Sequence, residues 1–137
     1  MSTPVQDIYI RFIRQIGTDI LSELDKEIAE EIMYGYLEDA LCEFDNWEEN
    51  LTIEDGNIID DLNSNDKSII ALAMVLYWLQ PKINTQEIIK VGVTDGDYSK
   101  TSSAAMLDKL LKLEEKTVRR LDGKIIKRSW KNKRLND

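Results

Sequence analysis

An uninterrupted run of eleven apolar residues, Ile69 to Leu79, constrains the fold of this 137-residue chain more than any other feature. Spanning a bilayer takes about 20 apolar residues, so the run is too short for a membrane segment. Its alanine, leucine and methionine content favours a helix over a strand. We therefore expect a central buried helix that is apolar nearly all round. Pro81 should end it, and its start should be capped by Ser64, Asn65 or Asp66.

Two amphipathic helices are predicted before this run. The first should follow Pro4, with Ser2 or Thr3 as its cap, and should end at Gly17. The second should start near Asp25 and keep a 3.6-residue apolar period for about five turns. The apolar positions of this second helix are Ile28, Ile32, Met33, Tyr36, Leu37, Ala40, Leu41 and Phe44.

The segment from Asn46 to Asn65 has no helical period and is rich in Asn, Asp and Gly. The dipeptide Asp55-Gly56 is a turn signal, and β-prone residues on both sides of it indicate a small hairpin. Loops of this length usually bind a ligand or pack against another chain. Trp47 could therefore anchor a partner, although a tryptophan lying over its own core explains it equally well.

The C-terminal third is predicted to form a short helix and a long one. Asn84 or Thr85 should cap the short helix, which reaches Lys90 and is followed by a turn at Gly92, Asp95 and Gly96. Ser102 or Ser103 should begin the long helix, and Gly123 should bend or end it. Its apolar seam would consist of Met106, Leu107, Leu110, Leu111, Val118, Leu121 and Ile125. The predicted fold is all-α, a small bundle of four to five helices (residues 1–122) followed by an extended basic segment (residues 123–137).

The net charge of −8 combines two regions of opposite sign. Residues 1–115 hold 9 Lys/Arg and 24 Asp/Glu, a net of −15, whereas residues 116–137 hold 9 Lys/Arg and 2 Asp/Glu, a net of +7. An acidic body repels nucleic acid, so we do not expect the whole domain to bind DNA. The basic end suits phosphate or an acidic protein surface.

Residues for catalysis or metal binding are scarce. The chain has no histidine, which excludes Ser-His, Cys-His and two-His metal mechanisms. Its single cysteine, Cys42, cannot form an internal disulfide and is expected to act as a small packing residue. Glu27, Glu30 and Glu31 could bind a divalent cation, as in all-α nucleotide pyrophosphohydrolases, but a solvated helix face explains them better. The sequence predicts no enzyme activity, no metal site and no cofactor.

A more specific pattern covers Leu62 to Leu113. The apolar helix closes in a Trp-Leu-x-Pro-x-Ile-Asn motif formed by Trp78, Leu79, Pro81, Ile83 and Asn84. An Asp-aromatic pair then precedes a helix start, formed by Asp97, Tyr98, Ser102, Ala104 and Leu107. Together with the order of the predicted elements, this pattern resembles the small head-tail connector (adaptor or neck) proteins of tailed bacteriophages. Those relatives often end in a Tyr-rich segment where this chain has RSWKNKRLND.

The resemblance implies a structural subunit of a ring, expected to be dodecameric, between the portal of a phage capsid and the tail or stopper protein. DNA would pass through the lumen without specific binding, and no membrane is involved. The protein would be made in the bacterial host cytoplasm and located in the virion neck. The residues expected to dock on the portal are Lys124, Ile125, Ile126, Lys127, Arg128, Trp130, Lys131, Lys133, Arg134 and Leu135. Those expected to contact a neighbouring subunit or tail protein are Trp47, Leu51, Ile53, Ile58 and Ile59.

Two other functions remain open at this point. One is a metal-dependent all-α nucleotide hydrolase that uses the clustered glutamates. The other is a DNA-packaging protein whose basic tail binds DNA. The N-terminus shows no apolar signal core, so we expect a soluble protein that is not secreted.

Overall fold

The computed structural model describes residues 2–17, 25–92 and 97–135, and it describes side chains over 2–17, 25–85 and 104–130. This part of the chain forms four helices and one small sheet. The helices are α1 (Val5–Ile16), α2 (Lys26–Cys42), α3 (Ser64–Gly92) and α4 (Asp97–Leu135). The strands are only two residues each, β1 (Thr3–Pro4), β2 (Ile53–Glu54) and β3 (Asn57–Ile58). The predicted all-α class is confirmed.

The central position of α3 is also confirmed. It packs against α1, α2 and α4, which explains why it has no polar face over the run from Ile69 to Val75, where every residue is buried. Its start is capped one residue earlier than predicted, because the Asn63 side chain accepts a hydrogen bond from the Asp66 amide at 2.8 Å. No helix in the described part of the chain is long and apolar enough to cross a membrane.

The prediction that Pro81 ends this helix is wrong. Pro81 lies inside α3, which continues to Gly92. Asn84 and Thr85 are consequently internal helix residues and do not cap a separate helix. Proline removes one helical amide, and at an exposed position such as Pro81 water can satisfy the carbonyl that loses its donor.

The first helix buries Val5, Ile8, Tyr9 and Phe12, and it ends at Gly17 as predicted. Gly17 has a φ of +90°, a conformation that suits glycine. The N-cap prediction fails, because Pro4 occupies that position with no side-chain cap. The Thr3 hydroxyl instead donates to the Asp60 carbonyl and accepts from the Leu62 amide, both at 2.8 Å.

The predicted hairpin is present. β2 and β3 pair antiparallel around Asp55 and Gly56, whose φ values are 51° and 77°. β1 adds to the other edge of β3, giving the order β1-β3-β2, with Thr3 opposite Ile58. This pairing was not foreseen from the sequence. It fixes the connection between α2 and α3 to the start of the chain.

The buried face of α2 differs from the predicted one. The buried residues are Ala29, Met33, Leu37, Ala40 and, just beyond the helix, Phe44. Ile28 and Ile32 are exposed by 45% and 38%, although the periodicity placed both in the core. Cys42 is exposed as well.

The last helix begins at Asp97, earlier than the predicted Ser102 or Ser103, and runs through Gly123 to Leu135. α4 therefore crosses the predicted boundary at residue 123 as one helix. Its seam against α3 is narrower than predicted, because Leu107 and Leu121 are buried and Leu110 is partly so. The other predicted seam residues are exposed, namely Met106, Leu111, Val118 and Ile125. Of the predicted turn, Gly92 is the last residue of α3, and Asp95 and Gly96 lie outside the described residues.

Candidate functional surfaces

Arg128 of α4 connects three separate parts of the chain. Its Nε donates to Asp66 Oδ1 at 2.9 Å, and its Nη2 donates to Glu49 Oε2 at 2.6 Å. The guanidinium also stacks on the Trp47 ring, with Cζ 3.9 Å from the ring centroid. The Arg128 side chain is only 13% exposed and that of Asp66 only 5%. These residues form an intrachain clamp, which we call the Arg128 clamp.

The clamp brings together two residues that were predicted from the sequence to contact different partners. Trp47 was expected to contact a neighbour and Arg128 to dock on the portal, but they contact each other, and Trp47 also packs on Phe44 with ring centroids 4.8 Å apart. The alternative that Trp47 lies over its own core is therefore the one observed.

The other residues of the predicted neighbour-contact loop also face inward. Ile58 is fully buried, and Leu51 and Ile53 pack against the core. Ile59 is half-buried and donates its amide to the Thr52 carbonyl. The apolar side chains of this connection are therefore largely used within the domain, whereas many of its polar residues are exposed.

Apart from Arg128 in the clamp, the predicted docking residues whose side chains are described take three different environments. Lys124 lines a basic cleft and Ile125 an apolar groove, whereas Ile126, Lys127 and Trp130 are exposed. Ile126 is 57% and Trp130 61% exposed, and they lie one turn apart on α4. The last four predicted residues belong to α4, but their side chains lie outside the described part, namely Lys131, Lys133, Arg134 and Leu135.

Of the ten large apolar side chains that are exposed among the described residues, seven fall into three surfaces on α2 and α4, and the other three are Ile10, Tyr34 and Met106. The first, the α2 surface, contains Ile28 and Ile32, and α2 carries five carboxylates and one lysine. The second, the α4 stripe, contains Leu111, Val118 and Ile125 at seven-residue spacing, which keeps them on one side of the helix. The third, the α4 end, contains Ile126 and Trp130, with Arg119 and Lys127 close by on the same side.

An apolar groove lies beside the α4 stripe. It has a volume of about 440 Å³, and Phe44, Leu76, Leu121 and Ile125 line it. At its rim the Tyr77 hydroxyl donates to the Glu43 carboxylate. This hydrogen bond raises the pKa of Tyr77 to about 12, because it stabilises the protonated phenol.

A basic cleft lies where α1, α3 and α4 meet. Four of its lining side chains are cationic, namely Arg11, Arg14, Arg120 and Lys124. The sequence analysis did not single out Arg11 or Arg14. They stand one turn apart on α1 in the acidic region, and no local pattern indicates that α4 brings two further cations beside them.

The glutamate cluster of α2 lies at an open pocket beside α1. Glu27, Glu30 and Glu31 line it together with Tyr9, and Gln6 donates to Glu30 at 3.2 Å. Burial, and to a lesser extent the charge of Glu30, raises the pKa of Tyr9 to about 12. Among the described residues, no group of three or more His, Cys, Asp or Glu side chains is arranged to hold a metal ion.

Comparisons with known proteins give no relative for this arrangement. No family model matches the chain, and no curated protein or solved structure matches it significantly.

Proposed function

We propose that this protein is a structural head-tail connector subunit that forms a ring between the portal and the tail of a phage and lets DNA pass. The observation that carries the proposal is the presence of exposed apolar side chains on α2 and on two sides of α4 in one small helical domain. A subunit of such a ring needs a contact with each neighbour, one with the portal and one with the tail or stopper protein, and the three surfaces are assigned to the first three of these contacts.

The α2 surface and the α4 stripe suit the two neighbour contacts. They lie on different helices, so the contact between copies is head-to-tail, and a head-to-tail contact closes into a ring when the rotation permits. Each presents isoleucine, leucine or valine side chains between 38% and 45% exposed. The acidic α2 surface would meet no excess of like charge, because residues 111–125, which span the α4 stripe, carry five Lys/Arg and three Asp/Glu.

The α4 end suits the portal contact. Trp130 and Ile126 are the two most exposed large apolar side chains of the described residues, and aromatic anchors rimmed by cations are typical of protein interfaces. The proposed portal contact therefore contains fewer residues than the set predicted from the sequence. Arg128 is engaged within its own chain, so Ile126, Lys127, Trp130 and the residues after them carry the proposed contact.

Three substitutions that each place one negative charge on α4 test these roles. Val118→Glu should prevent ring formation but leave the monomer folded, since Val118 is on the surface. Ile126→Glu should weaken binding to the portal, at least tenfold if Ile126 belongs to the anchor. Ala105→Glu, at an exposed position on another side of α4, is the matched control and should change neither property.

The measurements are analytical ultracentrifugation for ring mass and a binding titration with purified portal, with circular dichroism to verify folding. Equal behaviour of Val118→Glu and Ala105→Glu would remove the α4 stripe from the neighbour contact. If the chain neither self-associates nor binds the portal, the connector proposal as a whole is contradicted.

A further inference from the structure

The basic cleft between α1, α3 and α4 has a composition that the connector role does not require. Its volume is about 140 Å³, and its polar lining consists of Arg11, Arg14, Gln15, Ser68, Arg120 and Lys124. None of the described lining residues is Asp or Glu, although the protein has 26 acidic residues and 18 basic ones. Four cations around one small cleft repel each other unless an anion is bound.

Within the part of the chain that the structure describes, no carboxylate neutralises the cations of the cleft. Across the residues that the structure describes, none of the four takes part in an ion pair. Arg120 donates from Nη1 to the neutral Gln15 Oε1 at 2.9 Å. The Arg11 Nε is buried and has no hydrogen-bond acceptor among the described groups. A buried charged donor without an acceptor is costly, and such groups in a stable protein generally have a partner.

The size and charge of the cleft select the class of partner. The volume of about 140 Å³ is sufficient for one tetrahedral oxyanion. Arginine forks match phosphate oxygens in geometry, and four positive charges favour an anion of more than one negative charge over a single carboxylate.

We propose that this cleft is a phosphate-binding site, formed by Arg11 and Arg14 of α1 with Arg120 and Lys124 of α4. The phosphate is either a free ion or a group of a polynucleotide backbone. A small shift of the Arg11 guanidinium supplies its Nε with a phosphate oxygen as acceptor, and the bound anion links α1 to α4. The site lies on a different side of α4 from Ile126 and Trp130, so it is independent of the proposed portal contact.

The test is isothermal titration of the full chain with sodium phosphate, against sodium chloride at equal ionic strength. Arg14→Gln and Arg120→Gln remove one cation each at exposed side chains, so the fold should be retained. Arg119→Gln is the control, because Arg119 is adjacent in α4 but pairs with Glu115 away from the cleft. We expect saturable phosphate binding that each cleft variant weakens at least tenfold, since each removes a charge-assisted hydrogen bond.

A short DNA duplex distinguishes the two sources of phosphate. If a backbone phosphate is the ligand, DNA competes with free phosphate and the salt dependence of DNA binding falls by about one unit per removed cation. If DNA does not compete, the ligand is the free ion. The absence of phosphate binding by the wild-type chain, or an equal loss in Arg119→Gln, would overturn the assignment.

Discussion

Arg128 is a polar residue whose loss should clearly destabilise the domain. It holds the nearly buried Asp66 carboxylate at the start of α3 and covers the Trp47 ring at the same time. Removing one partner of a buried ion pair costs about 3–5 kcal/mol. We expect a somewhat smaller loss of stability here, because Glu49, the second carboxylate that pairs with Arg128, is partly exposed. We expect Arg128→Ala to reduce the free energy of unfolding by about 2–4 kcal/mol in urea denaturation.

Two variants calibrate the Arg128 result. Arg128→Lys keeps the charge but loses the planar fork and the stacking, so it should be intermediate. Arg119→Ala removes an exposed i,i+4 pair with Glu115 and should cost less than about 1 kcal/mol. Equal losses for Arg128→Ala and Arg119→Ala would show that the clamp contributes nothing beyond a surface pair.

Tyr9 makes stability depend on pH in the alkaline range. Its pKa is raised from 10.0 to about 12 in the folded protein, so the folded state disfavours the phenolate relative to the unfolded state. This contribution to stability is complete below pH 10 and is lost as the pH rises from about 10 to about 12. Tyr9→Phe should therefore show a smaller loss of unfolding free energy between pH 9 and about 11.5 than the wild type. The slope that remains includes Tyr77, whose pKa is raised in the same direction.

The contribution of Tyr9 can be separated from a general loss of packing. At pH 8 both proteins should show nearly the same pH slope, whatever the difference in their absolute stability. Identical slopes of wild type and Tyr9→Phe above pH 10 would contradict the assignment.

The residues of the Arg128 clamp could not have been brought together from the sequence. Trp47, Asp66 and Arg128 are far apart in the chain. From its local sequence, each was given a different role: Trp47 as an anchor, Asp66 as a helix cap and Arg128 as part of a basic segment. What unites them is the crossing of α4 over the start of α3, which depends on tertiary packing. The basic cleft escaped prediction for the same reason.

At the scale of elements, α4 should be one helix through Gly123. A Cβ added at Gly123 meets nothing within 4 Å, and its φ is not positive. Gly123→Ala should therefore raise the free energy of unfolding by about 0.5–1 kcal/mol, because alanine restricts the unfolded chain and favours the helix. Thermal and urea denaturation would measure this.

Gly17 provides the opposite case for the same substitution. It ends α1 at a φ of +90°, where a side chain is strained, so Gly17→Ala should destabilise by about 1 kcal/mol or more. Destabilisation by Gly123→Ala would instead support the sequence-based expectation that the helix bends or ends there.

The order of the elements and their all-α class could be predicted from the sequence. The residues at which helices end, and the side of each helix that is buried, were predicted less accurately. Gly17 ended α1 and Asp55-Gly56 made the hairpin because positive φ has a strong local cost for other residues. Pro81 did not end α3, since packing of this helix against three others outweighs a local cost of about 3 kcal/mol. In α2, apolar residues occur on more than one side, so the 3.6-residue period fits both Ile28 and Ala29 and cannot choose the buried face.

For the whole molecule, the distribution of charge and apolar surface is the feature that bears on function. α2 is acidic, the middle of α4 has a small excess of positive charge and the end of α4 is basic, and each carries exposed apolar side chains. The sequence indicated the acidic and basic regions, but periodicity alone could not show which apolar residues stay exposed. The packing of α1, α2 and α4 against α3 buries one side of each helix, and this tertiary packing decides which apolar residues stay exposed.

Electron microscopy of the purified full chain, alone and mixed with purified phage portal protein, tests the connector proposal most directly. We predict closed rings of uniform symmetry, formed either by the chain alone or as an added layer on the portal ring. Val118→Glu should abolish these rings and Ala105→Glu should retain them. Particles with the mass of a single 15.9 kDa chain, and portal rings without added density, would contradict the proposal.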